Sequence, residues 1–120
     1  MTELKQLLES DIQTQILDFL NMNGVFSFRV NSMGIFDKEK CIYRTPSKYS
    51  LKGTSDIIGI FPDGKFLAIE VKSAKGRPTK EQNAFINKIN SRGGLAFICR
   101  SLESLKDILQ KEGYYKKSRY

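Results

Sequence analysis

Between Gly53 and Lys72 the chain reads GTSDIIGIFPDGKFLAIEVK, two strand-like runs about a tight turn. Ser55 to Phe61 and Lys65 to Lys72 are rich in β-branched and aromatic residues, and Pro62-Asp63-Gly64 separates them. Proline suits the first central position of a type I turn, and glycine suits the left-handed residue that closes a three-residue hairpin loop. Such a turn pairs Phe61 with Lys65 and, counted outward, sets Asp56 opposite Glu70. Directly opposed residues of an antiparallel pair share a face, and Lys72, two positions beyond Glu70, shares it too. Two carboxylates and an ammonium thus converge at one end of a sheet face. Folding alone makes no such demand.

Metal-assisted phosphodiester hydrolysis does. Mg²⁺ takes hard oxygen ligands and is commonly held by one or two carboxylates, waters and substrate phosphate. It polarises the phosphoryl group and lowers the pKa of a water. A neighbouring lysine can position that water or stabilise charge developing on phosphate. A surface ion pair is the plainer account of Glu70 and Lys72 alone, and the register of Asp56 weighs against it.

Asp56 followed by Glu70-Val71-Lys72 resembles the PD-(D/E)xK nuclease signature, with Ser55 where a weakly specific proline often stands. Glu9 with Ile12-Gln13, Gly53-Thr54-Ser55-Asp56, Ile69 to Lys72, Gly76 and Thr79 to Gln82 are similar to the VRR-nuclease branch, small virus-type replication and repair nucleases. The likeness runs from about Glu9 to Gly94. It implies an α/β fold with a restriction-endonuclease-like α-β-β-β-α-β core. It also implies Mg²⁺ or Mn²⁺ held by Asp56, Glu70 and the Val71 backbone carbonyl, and by Glu9 through water. Glu9 and Gln82 are the accessory residues of the implied catalytic set Glu9, Asp56, Glu70, Lys72 and Gln82.

Composition is consistent with that chemistry. The chain has 120 residues, no histidine and a formal net charge of +7, which fits one domain over residues 1–120. Lacking histidine, it cannot be a His-based nuclease, a Ser–His–Asp hydrolase or a His-ligated zinc protein. Cys41 and Cys99 stand singly in apolar runs and read as buried free thiols of a cytoplasmic protein, or of a host cell's cytoplasm for a viral chain. No membrane-length apolar run is present, and no membrane partner is expected. The basic excess calls for an acidic partner, nucleic acid foremost.

Outward from the hairpin, a first helix is expected from Thr2 to Asn21, with Leu4, Leu8, Ile12, Ile16, Phe19 and Leu20 as its apolar stripe. Glu9 falls inside that stripe, where it faces a site; alternatively a capping box from Ser10 to Gln13 starts the helix and leaves Glu9 solvated. Strands are expected at Val25–Val30 and Lys40–Arg44, with Asn31–Glu39 a loop between them. Thr45–Lys52 is a basic connection in which Lys48 and Lys52 are candidate nucleic-acid contacts, as are Lys75 and Arg77 in the turn after Lys72. Thr79 to Gln82 fits a capping box, and Gln82 is read equally as a cap and as an inward amide. A buried strand at Leu95–Cys99 and a helix at Ser101–Glu112 follow. The tail, residues 113–120, is either frayed or a single-strand contact through its tyrosines. The composite expectation is a mixed central sheet flanked by helices, acting on branched DNA as a homodimer. The competing reading is a non-catalytic nuclease-fold binding module or a partner-dependent subunit.

Overall fold

The computed structural model describes residues 8–30, 36–37, 42–43 and 53–116, with only the backbone at 36–37 and 42–43. The elements run α1 (Glu9–Met22), β1 (Phe26–Arg29), β2 (Phe36–Asp37), β3 (Ile42–Tyr43), β4 (Ile57–Ile60), β5 (Phe66–Val71), α2 (Lys80–Ser91), β6 (Leu95–Cys99) and α3 (Leu102–Lys111). The main sheet has the order β1-β4-β5-β6; its first three strands are antiparallel and β6 lies parallel to β5. Counting main-sheet strands alone, this is the expected α-β-β-β-α-β order and mixed sheet, with the separate β2–β3 pair inserted and α3 appended.

The hairpin turn sets the register. Gly64 adopts φ +92°, the Phe61 N–H donates to Lys65 O at 3.0 Å, and the Gly64 N–H donates to Phe61 O at 2.8 Å. Ile57 therefore pairs with Ile69 and Ile60 with Phe66, so the next pair outward is Asp56 with Glu70. Alternation along β5 then sorts the two faces. Leu67, Ile69 and Val71 are buried with Ile57, Phe61 and Cys99 against Ile12, Ile16 and Leu20 of α1 and Leu105 and Leu109 of α3. Ala68 and Ala96 on the opposite face receive Ile86 of α2. Each fully buried Ile, Leu or Phe in this core contributes roughly 1.5–3 kcal/mol of transfer free energy.

Both edges of the main sheet are closed by asparagines. Asn21, near the end of α1, donates through Nδ2 to Ser27 O and accepts from the Ser27 N–H. Asn90 of α2 brackets Ala96 of β6 in the same way, with both bonds at 2.9 Å. Edge groups that would otherwise be open to another strand are thereby satisfied.

Several expectations need correction. Leu8 is 67% exposed and stands at the N-cap of α1 with no side-chain cap bond, so it leaves the apolar stripe and the Ser10–Gln13 box does not form. The preceding residues 1–7, including Leu4, lie outside the described residues. Of the strand expected at Lys40–Arg44 the described residues are Ile42–Tyr43, which pair with Phe36–Asp37 rather than with the main sheet. Phe36–Asp37 falls within the Asn31–Glu39 segment expected as a loop; two residues are too few to show alternation. Cys41 and the basic connection with Lys48 and Lys52 also lie outside the described residues.

The start of the tail differs as well. Tyr114 stacks on Phe61, ring centroids 3.7 Å apart, and its hydroxyl donates to Asp63 Oδ2 at 2.7 Å. Tyr115 meets Phe19 edge-on at 5.1 Å. Both rings are thus engaged with the body of the protein, Tyr114 closing the hairpin turn and Tyr115 packing on α1. The Tyr114 bond holds the Asp63 carboxyl below its usual range, and the same bond pushes the phenol up to about 12. A carboxylate with a depressed pKa adds stability above its unfolded value, and that stability is lost as pH falls through its folded value. Tyr114→Phe, which keeps the ring and removes the bond, should lower the urea midpoint at pH 7. Unfolding curves repeated in acid should show that difference fading.

Candidate active site

The site lies where the sheet face under α2 runs out toward the C-terminal end of β5. Glu70 is 1% exposed because α2 crosses over it. Its Oε1 accepts from Gln82 Nε2 at 2.8 Å and lies 3.5 Å from Lys72 Nζ. Its Oε2 is buried with no partner among the described residues, a condition it shares only with Ser55 Oγ. Asp56 approaches from the paired strand, and its Oδ2 accepts the Val71 N–H at 2.9 Å. That bond ties the acid to the backbone of the residue between Glu70 and Lys72. Two of the molecule's acids are thereby fixed at adjacent positions, with one oxygen left unsatisfied beside them.

Gln82 serves both roles between which the sequence could not choose. Its Oε1 accepts the Thr79 N–H at 2.8 Å while its own N–H donates to Thr79 Oγ1 at 3.1 Å, a complete capping box. The amide nitrogen is free of that box and reaches Glu70. This is possible because the first turn of α2 lies close to the start of β4. Gly53, at φ +81°, has no room for a Cβ, which would stand 2.6 Å from the Gln82 nitrogen and clash with the Glu81 backbone. The glycine three positions before Asp56 is thus a packing requirement of the site.

Glu9 begins α1, and its Oε1 accepts the Ser73 N–H at 3.1 Å. It is half-buried and turned toward the segment after β5, not left in solvent ahead of the helix. A Cβ on Gly76 would lie 3.2 Å from the same oxygen, which explains a small residue there. Lys75 and Arg77 are exposed in the same turn, and the Gly76 N–H donates to Ser73 O at 3.1 Å. Sequence reasoning missed Arg100, the residue after β6. Its Nη1 donates to Ser73 O at 2.5 Å and to Gly76 O at 2.6 Å. No motif marks it, and only the parallel pairing of Val71 with Cys99 brings it beside Lys72.

A divalent cation fits these residues. Among the described residues no group of three or more His, Cys, Asp and Glu side chains is gathered to hold a metal. The donors on offer are two carboxylates and a backbone carbonyl, all hard oxygens, and one of them is a buried oxygen without a partner among the described residues. That set suits Mg²⁺ or Mn²⁺, which retain water and take up phosphate, and does not suit zinc. The electrostatics agree. Burial pushes the Glu70 carboxyl from 4.5 up to about 7, and Asp56 adds to the rise while Lys72 opposes it.

A sequence profile of the VRR-NUC domain matches residues 38–103, a range that contains Asp56, Glu70, Lys72, Gln82 and Arg100 but not Glu9. A solved structure of a VRR-NUC domain superposes with a TM-score of 0.62 at 21% identity, covering 89% of this chain and 97% of that one. No curated protein matches the chain.

The raised pKa has a measurable consequence in the metal-free protein. Between 4.5 and about 7 the folded chain keeps a proton that the unfolded chain has released, so stability falls as pH rises through that window. In EDTA, wild type should lose on the order of 2 kcal/mol relative to Glu70→Gln between pH 5 and pH 8. Urea denaturation of both proteins at the two pH values measures it, and parallel curves would refute the burial argument.

Proposed function

The chain belongs to the VRR-NUC domain family, a family of nuclease fold, and on that premise we propose that it is a metal-dependent DNA endonuclease. The observation that carries the reading is Glu70: a carboxylate 1% exposed, one oxygen held by Gln82 and Lys72 and the other, beside Asp56, without a partner among the described residues. A buried anion so arranged destabilises the empty protein and is explained by a cation it receives. A surface that only docked phosphate would gain nothing from it.

Asp56, Glu70 and the Val71 carbonyl would hold Mg²⁺ or Mn²⁺, whose charge polarises the scissile phosphate. The protein's own part is positional. The Val71 N–H fixes Asp56, and Gln82 fixes Glu70 from the capped end of α2, so neither acid reorganises during reaction. Lys72, its side chain 13% exposed, stands where it can place the attacking water and offset charge gathering on the phosphoryl oxygens. Glu9, bound to Ser73, orients water on the side of the turn and steadies the segment that carries Lys75 and Arg77. Buried free Cys99 suits a reducing compartment, the cytoplasm. No helix among the described residues is long and apolar enough to cross a membrane.

Asp56→Asn, Glu70→Gln and Lys72→Ala should each lose about 10²-fold or more of cleavage while retaining DNA binding. Mn²⁺ should raise the melting temperature of wild type and leave that of Glu70→Gln unchanged. Wild-type cutting rates in both Glu70→Gln and Lys72→Ala would show that the site is misassigned. Binding by the pure protein without any metal-dependent cleavage would favour the binding-module reading.

Phe26, Ile60 and Phe66 face one another across β1, β4 and β5. With Phe28 they form an exposed apolar band, 37–64% exposed, on the face that carries Asp56 and Glu70. Val25, buried at 4%, belongs to the core instead. We propose that the band meets its copy in a two-fold homodimer, which sets two sites at symmetric positions and suits branched DNA over plain duplex. Light scattering should give a dimer, and Phe26→Ser with Ile60→Ser a monomer. Four-way junctions should be cut faster than linear duplex by wild type; a monomer that cuts both equally would overturn this part alone.

A further inference from the structure

We infer that the turn after β5 and the residue after β6 build a binding subsite for a second backbone phosphate of the strand being cut, with Arg100 as its anchored cation. An open cleft of about 730 Å³ lies there, lined by Ala74, Lys75, Gly76, Arg77, Pro78 and Arg100. Every charged residue of that lining is a cation. Because β5 and β6 are parallel with Val71 beside Cys99, and the Lys72 N–H donates to Cys99 O at 3.0 Å, Arg100 emerges next to Lys72. The cleft therefore adjoins the site and shares its turn.

Arg100 differs from an ordinary surface arginine. Its Nη1 donates to two backbone carbonyls, Ser73 O and Gly76 O, which uses both hydrogens of that nitrogen. Nη2 and Nε make no hydrogen bond or ion pair among the described residues, so the remaining edge of a planar fork is open. That edge has the geometry which pairs with two phosphate oxygens. The side-chain entropy an arginine normally loses on binding is already spent in folding. The clamp also couples the subsite to the site: the Ser73 carbonyl is held by Arg100, and the Ser73 N–H by Glu9. Lys75 and Arg77 supply exposed charge around the fixed group. A purely structural clamp needs only Nη1 and would not call for a cleft lined by cations.

This inference rests on the nuclease reading, and the experiment separates the two. Binding of a fluorescent DNA duplex is measured in EDTA across a salt series, with single methylphosphonates scanned through the linkages of one strand. For wild type, one neutral linkage should weaken binding roughly tenfold. Arg100→Gln should weaken the all-phosphate duplex comparably and reduce the salt slope by about one. It should also abolish the effect of that linkage and, in Mn²⁺, raise KM more than it lowers kcat. Arg100→Lys, which keeps charge but loses the fork, should recover the slope and only part of the affinity. A methylphosphonate profile identical in wild type and Arg100→Gln would reduce Arg100 to a structural clamp and overturn the proposal. Should Arg100→Gln fail to fold, a wild-type scan with no sensitive linkage overturns it, and a sensitive linkage silenced by Lys75→Gln with Arg77→Gln supports it. Absence of metal-dependent cleavage with the linkage effect intact would sink the nuclease reading and leave the subsite standing.

Discussion

The pairing of β4 with β5 is the constraint on which the site depends. Side chains alternate with a period of two, so a slip of one residue would turn Glu70 into the α1–α3 core and bring Ile69 or Val71 to the site face. Pro62-Asp63-Gly64 prevents the slip. Gly64 takes the left-handed conformation, Phe61 closes on Lys65, and Tyr114 locks the turn by stacking on Phe61 and bonding Asp63. Asp56 strengthens the far end of the same pair by accepting the Val71 N–H. The hairpin is thus secured at both ends, by a turn at one and by a functional carboxylate at the other.

Burial of Glu70 is the energetic cost of that arrangement. One oxygen has an amide and an ammonium nearby and the other has no hydrogen-bond partner among the described residues; burial, with the Asp56 charge adding to it, raises the carboxyl to about 7. An interior that destabilises its own anion is poised to take a cation, which separates this carboxylate from the many strand glutamates that are only solvated. Gln82 shows how few residues accomplish this. One side chain caps α2 with its oxygen and orients Glu70 with its nitrogen, and Gly53 makes room for the helix to come so near.

The sequence was most legible where the governing contacts are short-range. The turn predicted the β4–β5 register, and Thr79 with Gln82 predicted the start of α2. The β-branched and aromatic content of Lys65–Lys72 predicted the strand Phe66–Val71. Errors fell where local pattern and tertiary context part. Leu8 fits a helical stripe but stands ahead of the first turn, where no core reaches it. Ile42–Tyr43 has strand composition, yet its partner is the short Phe36–Asp37. Tyr114 and Tyr115 look like a basic aromatic tail, but the end of α3 delivers them to Phe61 and Phe19.

By itself, the sequence determined which acids and which lysine share a sheet face, because a turn and a period of two are local properties of a chain. Tertiary structure alone decided the rest. Glu9 meets Ser73 across 64 positions only because α1 packs beneath β5. Arg100 reaches Ser73 and Gly76 only because β6 lies parallel to β5. The charge state of Glu70 depends on how completely α2 excludes water. The helical stripe marked Glu9 but not its partner Ser73, and neither the reach of Arg100 nor the charge state of Glu70 leaves a periodic or motif-like trace, since each is set by the packing of distant elements and by the solvent that packing removes.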